Sequence, residues 1–177
     1  MKVTDEIQFY RASGEYGYLS NLYKCPIEFE GRTFRCAEEA YQYGKPKDPA
    51  VAEWIVSAPK PHLCAAAAHA LFVFDITPGW SDKKVPRMAR IIDKKFMDYE
   101  LGQKLLKTWP AMLTEASNTD AFWGIGKKGN GRNMLGILLM ATRERLHRQQ
   151  ETIDAIARDV NAEIGSGMTR EERGGLP

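Results

Sequence analysis

The stretch TDAFWGIGKKGNGRNMLGILLM, residues 119–140, constrains the fold of this chain more than any other. Its glycines, Gly124, Gly126, Gly129 and Gly131, are so closely spaced that neither helix nor strand runs comfortably through them. An apolar helix then opens at Asn133. The run contains a literal G-x-G-x-x-G at Gly124, Gly126 and Gly129. In a dinucleotide-binding fold that pattern follows a hydrophobic core strand and opens a helix within itself. Here the lead-in is SNTDAFW, which is no core strand, and the helix begins only after Gly131, so a doubly wound fold is excluded. What remains is a loop that gathers a carboxylate (Asp120), two aromatics (Phe122 and Trp123), backbone N–H groups and two cations (Lys127 and Lys128) around one small volume. A phosphorylated or nucleotide-like ligand needs that combination. The plain alternative is a glycine-rich turn with solvated lysines. A tryptophan beside such a loop is costly without a use, which favours a ligand site.

The remaining pattern is mostly helical. Ile7 to Tyr10 reads as a short strand, and Leu22 to Phe34 as a hairpin turning at Glu30-Gly31. From Cys36 the pattern is helical until Pro46. Asp48-Pro49 starts the next helix, with Val51, Trp54 and Ile55 on one face. An alanine-rich helix follows around Leu63 to Leu71, and a longer one carries Val85, Met88, Ile91, Ile92 and Phe96, with Ser81 or Asp82 as its cap. Leu101, Leu105 and Leu106 mark a short helix before Trp109-Pro110. The last helix runs from near Asn133 to about Ile164, and its apolar face thins beyond Leu146. Few strands, early in the chain, among many helices predict an α+β fold: a helix-dominated single domain with a small N-terminal β-hairpin or sheet. Its expected extent is residues 1–147, with a C-terminal helical extension over 148–164 and a flexible tail over 165–177.

A chain of 177 residues can bury a core of ordinary size, and a formal net charge of +2 marks no nucleic-acid surface. No apolar run reaches membrane-spanning length, and acidic residues stand in MKVTDEIQFY where a leader would be apolar, so a cytoplasmic protein is expected. Cys25, Cys36 and Cys64 form no CxxC pair and make no zinc pattern with His62, His69 and His147. No metal and no cofactor are expected.

Glu38, Gln42 and Lys45 fall at i, i+4 and i+7 and share one helix face, while Ala37, Ala40, Tyr41 and Gly44 are expected to turn toward the core. That polar stripe reads either as an exposed surface or as a site, and the adjacent Glu39 points elsewhere, about 100° around the helix. Trp80, in PGWSD, reads either as a helix-end cap or as a stacking surface. Ser20, Asn21 and Glu115 are polar residues in or near turns, each able to serve as a cap. No Ser/His/Asp or Cys/His arrangement is present, so nucleophilic acyl transfer is not favoured.

Taken in order, FYRASGEYGYLSN, IEFEGRTF leading to AEEAYQYGK, GWSDKK and TEASNTDAFWGIGKKGNGRNMLGILLM resemble the NADAR family over roughly Phe9 to Leu146. The resemblance implies a cytoplasmic N-glycosidase that cleaves a ribose–nitrogen bond. The substrates it implies are ribosylaminopyrimidine phosphates of riboflavin synthesis; in some members it implies ADP-ribose, including ADP-ribose removed from guanine in nucleic acid. The family's catalytic glutamate falls on Glu38, its stacking tryptophan on Trp80, its acidic-aromatic pair on Asp120 and Trp123, its lysine on Lys45 and its asparagine on Asn133. Glu39 and Ala40 stand where the family usually has histidine and an aromatic, and Pro46 interrupts where its helix continues. The implied chemistry has Glu38 activate water or stabilise an oxocarbenium-like sugar, with Asp120 on the ribose hydroxyls or as second carboxylate. Ser20 and Asn21 are expected to bind substrate. The Gly124 to Gly131 N–H groups with Lys127, Lys128 or Lys45 are expected to hold phosphate. The alternatives are an ADP-ribosyl hydrolase acting on nucleic acid and a non-catalytic binder of ADP-ribose- or NAD-like ligands.

Overall fold

A computed structural model describes residues 5–171, with side chains as far as residue 164. It forms two compact units, Met1–Arg143 and Glu144–Pro177. The first opens with strand β1 (Glu6–Phe9), which buries Ile7 and Phe9 and turns Glu6 and Gln8 outward, the two-residue alternation of a half-buried strand. A 3-10 turn at Gly17–Leu19 leads to the hairpin of β2 (Ile27–Phe29) and β3 (Arg32–Phe34), in which Ile27 faces Phe34 and Phe29 faces Arg32. Its turn residues Glu30 (φ 52°) and Gly31 (φ 78°) are both left-handed, as a two-residue type I′ hairpin requires.

Helices α1 (Ala37–Tyr43), α2 (Pro49–Val56) and α3 (Pro61–His69) pack together. Asp48 caps α2 by accepting the Ala50 N–H at 2.8 Å, with Pro49 in the first turn. That helix buries Ala52, Ile55 and Val56, leaving Trp54 66% exposed and off the apolar face expected for it. A second 3-10 turn, Val73–Asp75, precedes α4 (Trp80–Phe96). Left-handed Gly79 (φ 71°) is the N-cap of α4, so Trp80 is its first residue and neither Ser81 nor Asp82 caps it. Helix α5 (Tyr99–Leu106) is capped by Asp98.

A late strand, β4 (Met112–Glu115), adds to the few and early strands expected and pairs parallel with β1, from Glu6 opposite Met112 to Phe9 opposite Glu115. The core is built from Ile55, Met88, Ile91, Ile92, Leu105, Leu113, Leu135 and Leu139. Full burial of each such side chain stabilises the fold by about 1.5–3 kcal/mol before entropy is counted. The architecture is α+β.

Helix α6 spans Met134–Glu171. The second unit begins within it at Glu144 and carries i,i+4 pairs of Glu144 with Arg148 and of His147 with Glu151. The segment expected as a tail is helical as far as Glu171, and residues 172–177 lie outside the described residues. No helix among the described residues is long and apolar enough to cross a membrane.

Candidate active site

Within the first unit, a cavity of about 940 Å³ is walled by the loop after β1, by α1 and α3, by the start of α4 and by the end of β4 with the loop that follows. Ser20, Asn21, Glu38, Lys45, Trp80, Asp120 and Trp123 all line it. Each is held from behind. The buried Lys95 ammonium donates to the Ser20 carbonyl at 2.8 Å, and Asn21 accepts the Glu38 N–H on its own carbonyl at 3.0 Å. The loop after β1 is thereby fixed to the first turn of α1, where Glu38 stands.

Glu38 Oε1 accepts a hydrogen bond from Gln42 Nε2 at 2.8 Å, one turn along the same face. Burial pushes the Glu38 carboxyl up. The Gln42 hydrogen bond opposes that rise, the Asp120 charge reinforces it, and Lys45 opposes it. Lys45 is displaced downward by its own burial, partly countered by Glu38, and its ammonium donates to the Ala68 carbonyl at 2.7 Å. Thr77 fastens this corner to the segment before α4. Its N–H donates to the Lys45 carbonyl and its hydroxyl to the Pro46 carbonyl, which sets Trp80 opposite α1. Glu39 points away from the cavity, buried against Arg35 at 2.6 Å.

Asp120 shapes its own turn. Its Oδ1 accepts the N–H groups of Phe122 (2.7 Å) and Trp123 (2.8 Å), and its N–H donates to Ser117 Oγ. This Asx-type turn aims Trp123 into the cavity. Trp123 meets the Tyr41 ring edge-on at 5.5 Å, and Trp80 meets the same ring at 5.3 Å. The result is an aromatic wall, Trp80–Tyr41–Trp123, beside Glu38. Tyr41 was expected in the core. It is buried as expected, and because i,i+3 neighbours share a helix face it also lines the cavity beside Glu38. Burial, then the Glu38 charge, push its phenol up.

The glycine loop does not line the cavity. Gly124, Gly126, Lys127, Lys128, Gly129, Gly131 and Asn133, expected as ligand contacts, all lie outside it. The physical reason is that N–H groups on both limbs of the loop bond within the protein. Ile125 donates to the Glu115 carbonyl, Gly129 to Gly126, Gly131 to Ile125, Arg132 to Ala121 and Asn133 to Gly124. Gly126 (φ 64°) and Gly129 (φ 69°) take left-handed turns, and a Cβ on Gly131 would stand 2.4 Å from the Gly124 oxygen. Lys127 and Lys128 are exposed. The side chain of Asn133 clamps β4, accepting from the Glu115 N–H at 2.9 Å and donating to the Leu113 carbonyl at 2.8 Å. The cations that do face the cavity are Lys45, Lys84 and Arg11. Of these, Lys84 places its ammonium 3.4 Å from the centre of the Phe122 ring.

Glu115, a polar residue near a turn that could serve simply as a cap, lines the cavity as well. Among the described residues no cluster of three or more His, Cys, Asp or Glu is placed to hold a metal ion.

The cavity sets carboxylates on one side and indole rings on another, an arrangement able to take a flat ring against ionisable groups. The family to which such a site belongs is settled by comparison. The NADAR domain model matches residues 8–147. N-glycosidase YbiA of Escherichia coli is 36% identical over 141 residues, covering 79% of this chain and 88% of that protein. An N-glycosidase of Nostoc punctiforme is 33% identical over 144 residues, 79% of this chain and 92% of that one. A riboflavin biosynthesis protein of Vibrio vulnificus is 36% identical over 144 residues, 79% of this chain and 38% of the relative. The NMR structure of E. coli YbiA superposes with a TM-score of 0.75 at 34% identity, covering 83% of this chain and 88% of that one. The chain belongs to the NADAR family.

Proposed function

We propose that the bond this chain hydrolyses is the ribose–nitrogen bond of a phosphorylated ribosyl-base compound of the ribosylaminopyrimidine phosphate type. As a NADAR protein it is a hydrolase acting on N-glycosyl compounds. The observation that carries the substrate reading is Glu38, bonded to Gln42 and facing a cavity whose neighbouring wall is Trp80–Tyr41–Trp123. Cleaving a ribosyl C1–N bond leaves positive charge on the sugar and an electron pair on the departing nitrogen. The base stacks on the indoles, and Glu38 takes a proton from the attacking water and stabilises the cationic sugar. Asp120, with one oxygen committed to its turn, offers the other to the ribose hydroxyls. Lys45, Lys84 and Arg11 take the phosphate in place of the glycine loop. The free cysteines Cys25, Cys36 and Cys64 fit a reducing cytoplasmic setting.

The size of the cavity supports a second reading. Ligand pockets run to about 300–1,000 Å³, and this cavity, at about 940 Å³, has room for an ADP-ribosyl group, free or on guanine in nucleic acid. The test is a substrate panel: a ribosylaminopyrimidine phosphate, ADP-ribose, NAD and an ADP-ribosylated guanosine oligonucleotide, each followed by chromatography and mass spectrometry. Release of the pyrimidine with ribose 5-phosphate, and no reaction of the others, supports the first reading. Release of ADP-ribose from the oligonucleotide alone moves the assignment to the second. Tight binding without product from any substrate replaces both with a ligand-binding protein.

A further inference from the structure

We propose that Glu115 is the proton donor of this site, delivering its carboxyl proton to the base nitrogen as the ribosyl C1–N bond breaks. This rests on the N-glycosidase reading above and divides its acid–base work between two residues. Glu115 closes β4 and faces the same cavity as Glu38 and Asp120. Its backbone is pinned on both sides, the N–H by Asn133 Oδ1 at 2.9 Å and the carbonyl by the Ile125 N–H at 3.0 Å. The side chain therefore starts from a fixed point. Oε2 is buried, and among the described residues no group hydrogen-bonds to it.

A buried carboxylate without a donor, beside two other carboxylates, is held far better as a neutral acid. Burial first, then the charges of Asp120 and Glu38, push Glu115 up to about 8. Glu38 has what Glu115 lacks, a hydrogen-bond donor in Gln42 and a cation in Lys45. Two carboxyl groups with surroundings that differ in this way divide into a base and an acid. The step balances. The C1–N pair goes to nitrogen, which takes the Glu115 proton; water adds its oxygen to C1 and gives a proton to Glu38. Return of that proton to Glu115 resets the site, with one water consumed.

The test is kcat and kcat/KM against pH on either side of pH 8, with a ribosylaminopyrimidine phosphate, for wild type and Glu115→Gln, with folding checked by circular dichroism and substrate Kd measured separately. Wild-type kcat/KM, which reports the free enzyme, is expected to fall as pH rises through about 8. The Gln variant is expected to lose about 10²–10⁴-fold in kcat with Kd unchanged, and its residual rate to lack that fall. Wild-type kcat in the variant, or an unaltered alkaline limb, would overturn the assignment. If the Gln variant does not fold, Glu115→Asp keeps an acid and withdraws it by one methylene; undiminished kcat there also overturns it. A wild-type protein that releases no base from any substrate of the panel above removes the N-glycosidase reading before any variant is compared, and this assignment with it.

Discussion

Glu38 and Glu115 face one cavity, yet Glu38 accepts a hydrogen bond from Gln42 while Oε2 of Glu115 is buried without one among the described residues. The difference has a thermodynamic signature apart from catalysis. The Glu115 carboxyl rises from an ordinary 4.5 to about 8 on folding. Between those values the native chain holds a proton that the unfolded chain has released, so stability falls as pH rises through that window. Urea midpoints across the window should therefore fall less steeply for Glu115→Gln than for wild type, and parallel slopes would count against a buried neutral acid. The helical spacing of residues 38, 42 and 45 made one face of the site readable, and the family resemblance assigned Glu38, Trp80, Asp120 and Trp123. Tyr41 is buried as its helix face predicts, and i,i+3 geometry also puts it beside Glu38, which spacing shows only once Glu38 is known to face a cavity. Glu115 can be read from sequence as a cap, with no role in the reaction assigned to it, because its surroundings depend on groups brought near it by folding.

At the scale of elements, the glycine loop works as a buttress. It ties the turn of Asp120 to the end of β4 and so sets Trp123 and Glu115 in the cavity wall. Gly131→Ala should destabilise the protein by about 1–3 kcal/mol, since a Cβ there meets backbone atoms of Gly124 and Ile125 that have no room to yield. By contrast, Lys127→Ala with Lys128→Ala should leave KM unchanged, because neither residue lines the cavity. A rise in KM for that double variant would return the phosphate to the loop. From sequence the loop looked like a cradle because composition records glycines and lysines but not which N–H groups are already bonded. Strand β4 was illegible for another reason. Its two central residues, Leu113 and Thr114, are both buried, so the alternation that betrays a half-exposed strand is missing. The hairpin, the Asp48-Pro49 start and the α4 stripe were readable because turn chemistry, capping and helical period are local.

At the scale of the whole chain, the cavity draws on residues from Tyr10 to Trp123, all within the unit Met1–Arg143. No local pattern states that the end of β4 will meet α1, since the parallel pairing of β1 with β4 joins segments about a hundred residues apart. The α+β class was readable; the enclosure was not. A chain ended after His147, where the NADAR match stops, should keep its turnover. Loss of turnover by such a chain, shown to be folded, would give the C-terminal unit a part in the reaction.

The most direct measurement is product formation from a ribosylaminopyrimidine phosphate by wild type and by Glu38→Gln, read by mass spectrometry. The expected result is free pyrimidine and ribose 5-phosphate from wild type, with at least ~10²-fold slower release by a folded Gln variant. Near-normal release by that variant would contradict the placing of Glu38 at the reacting bond.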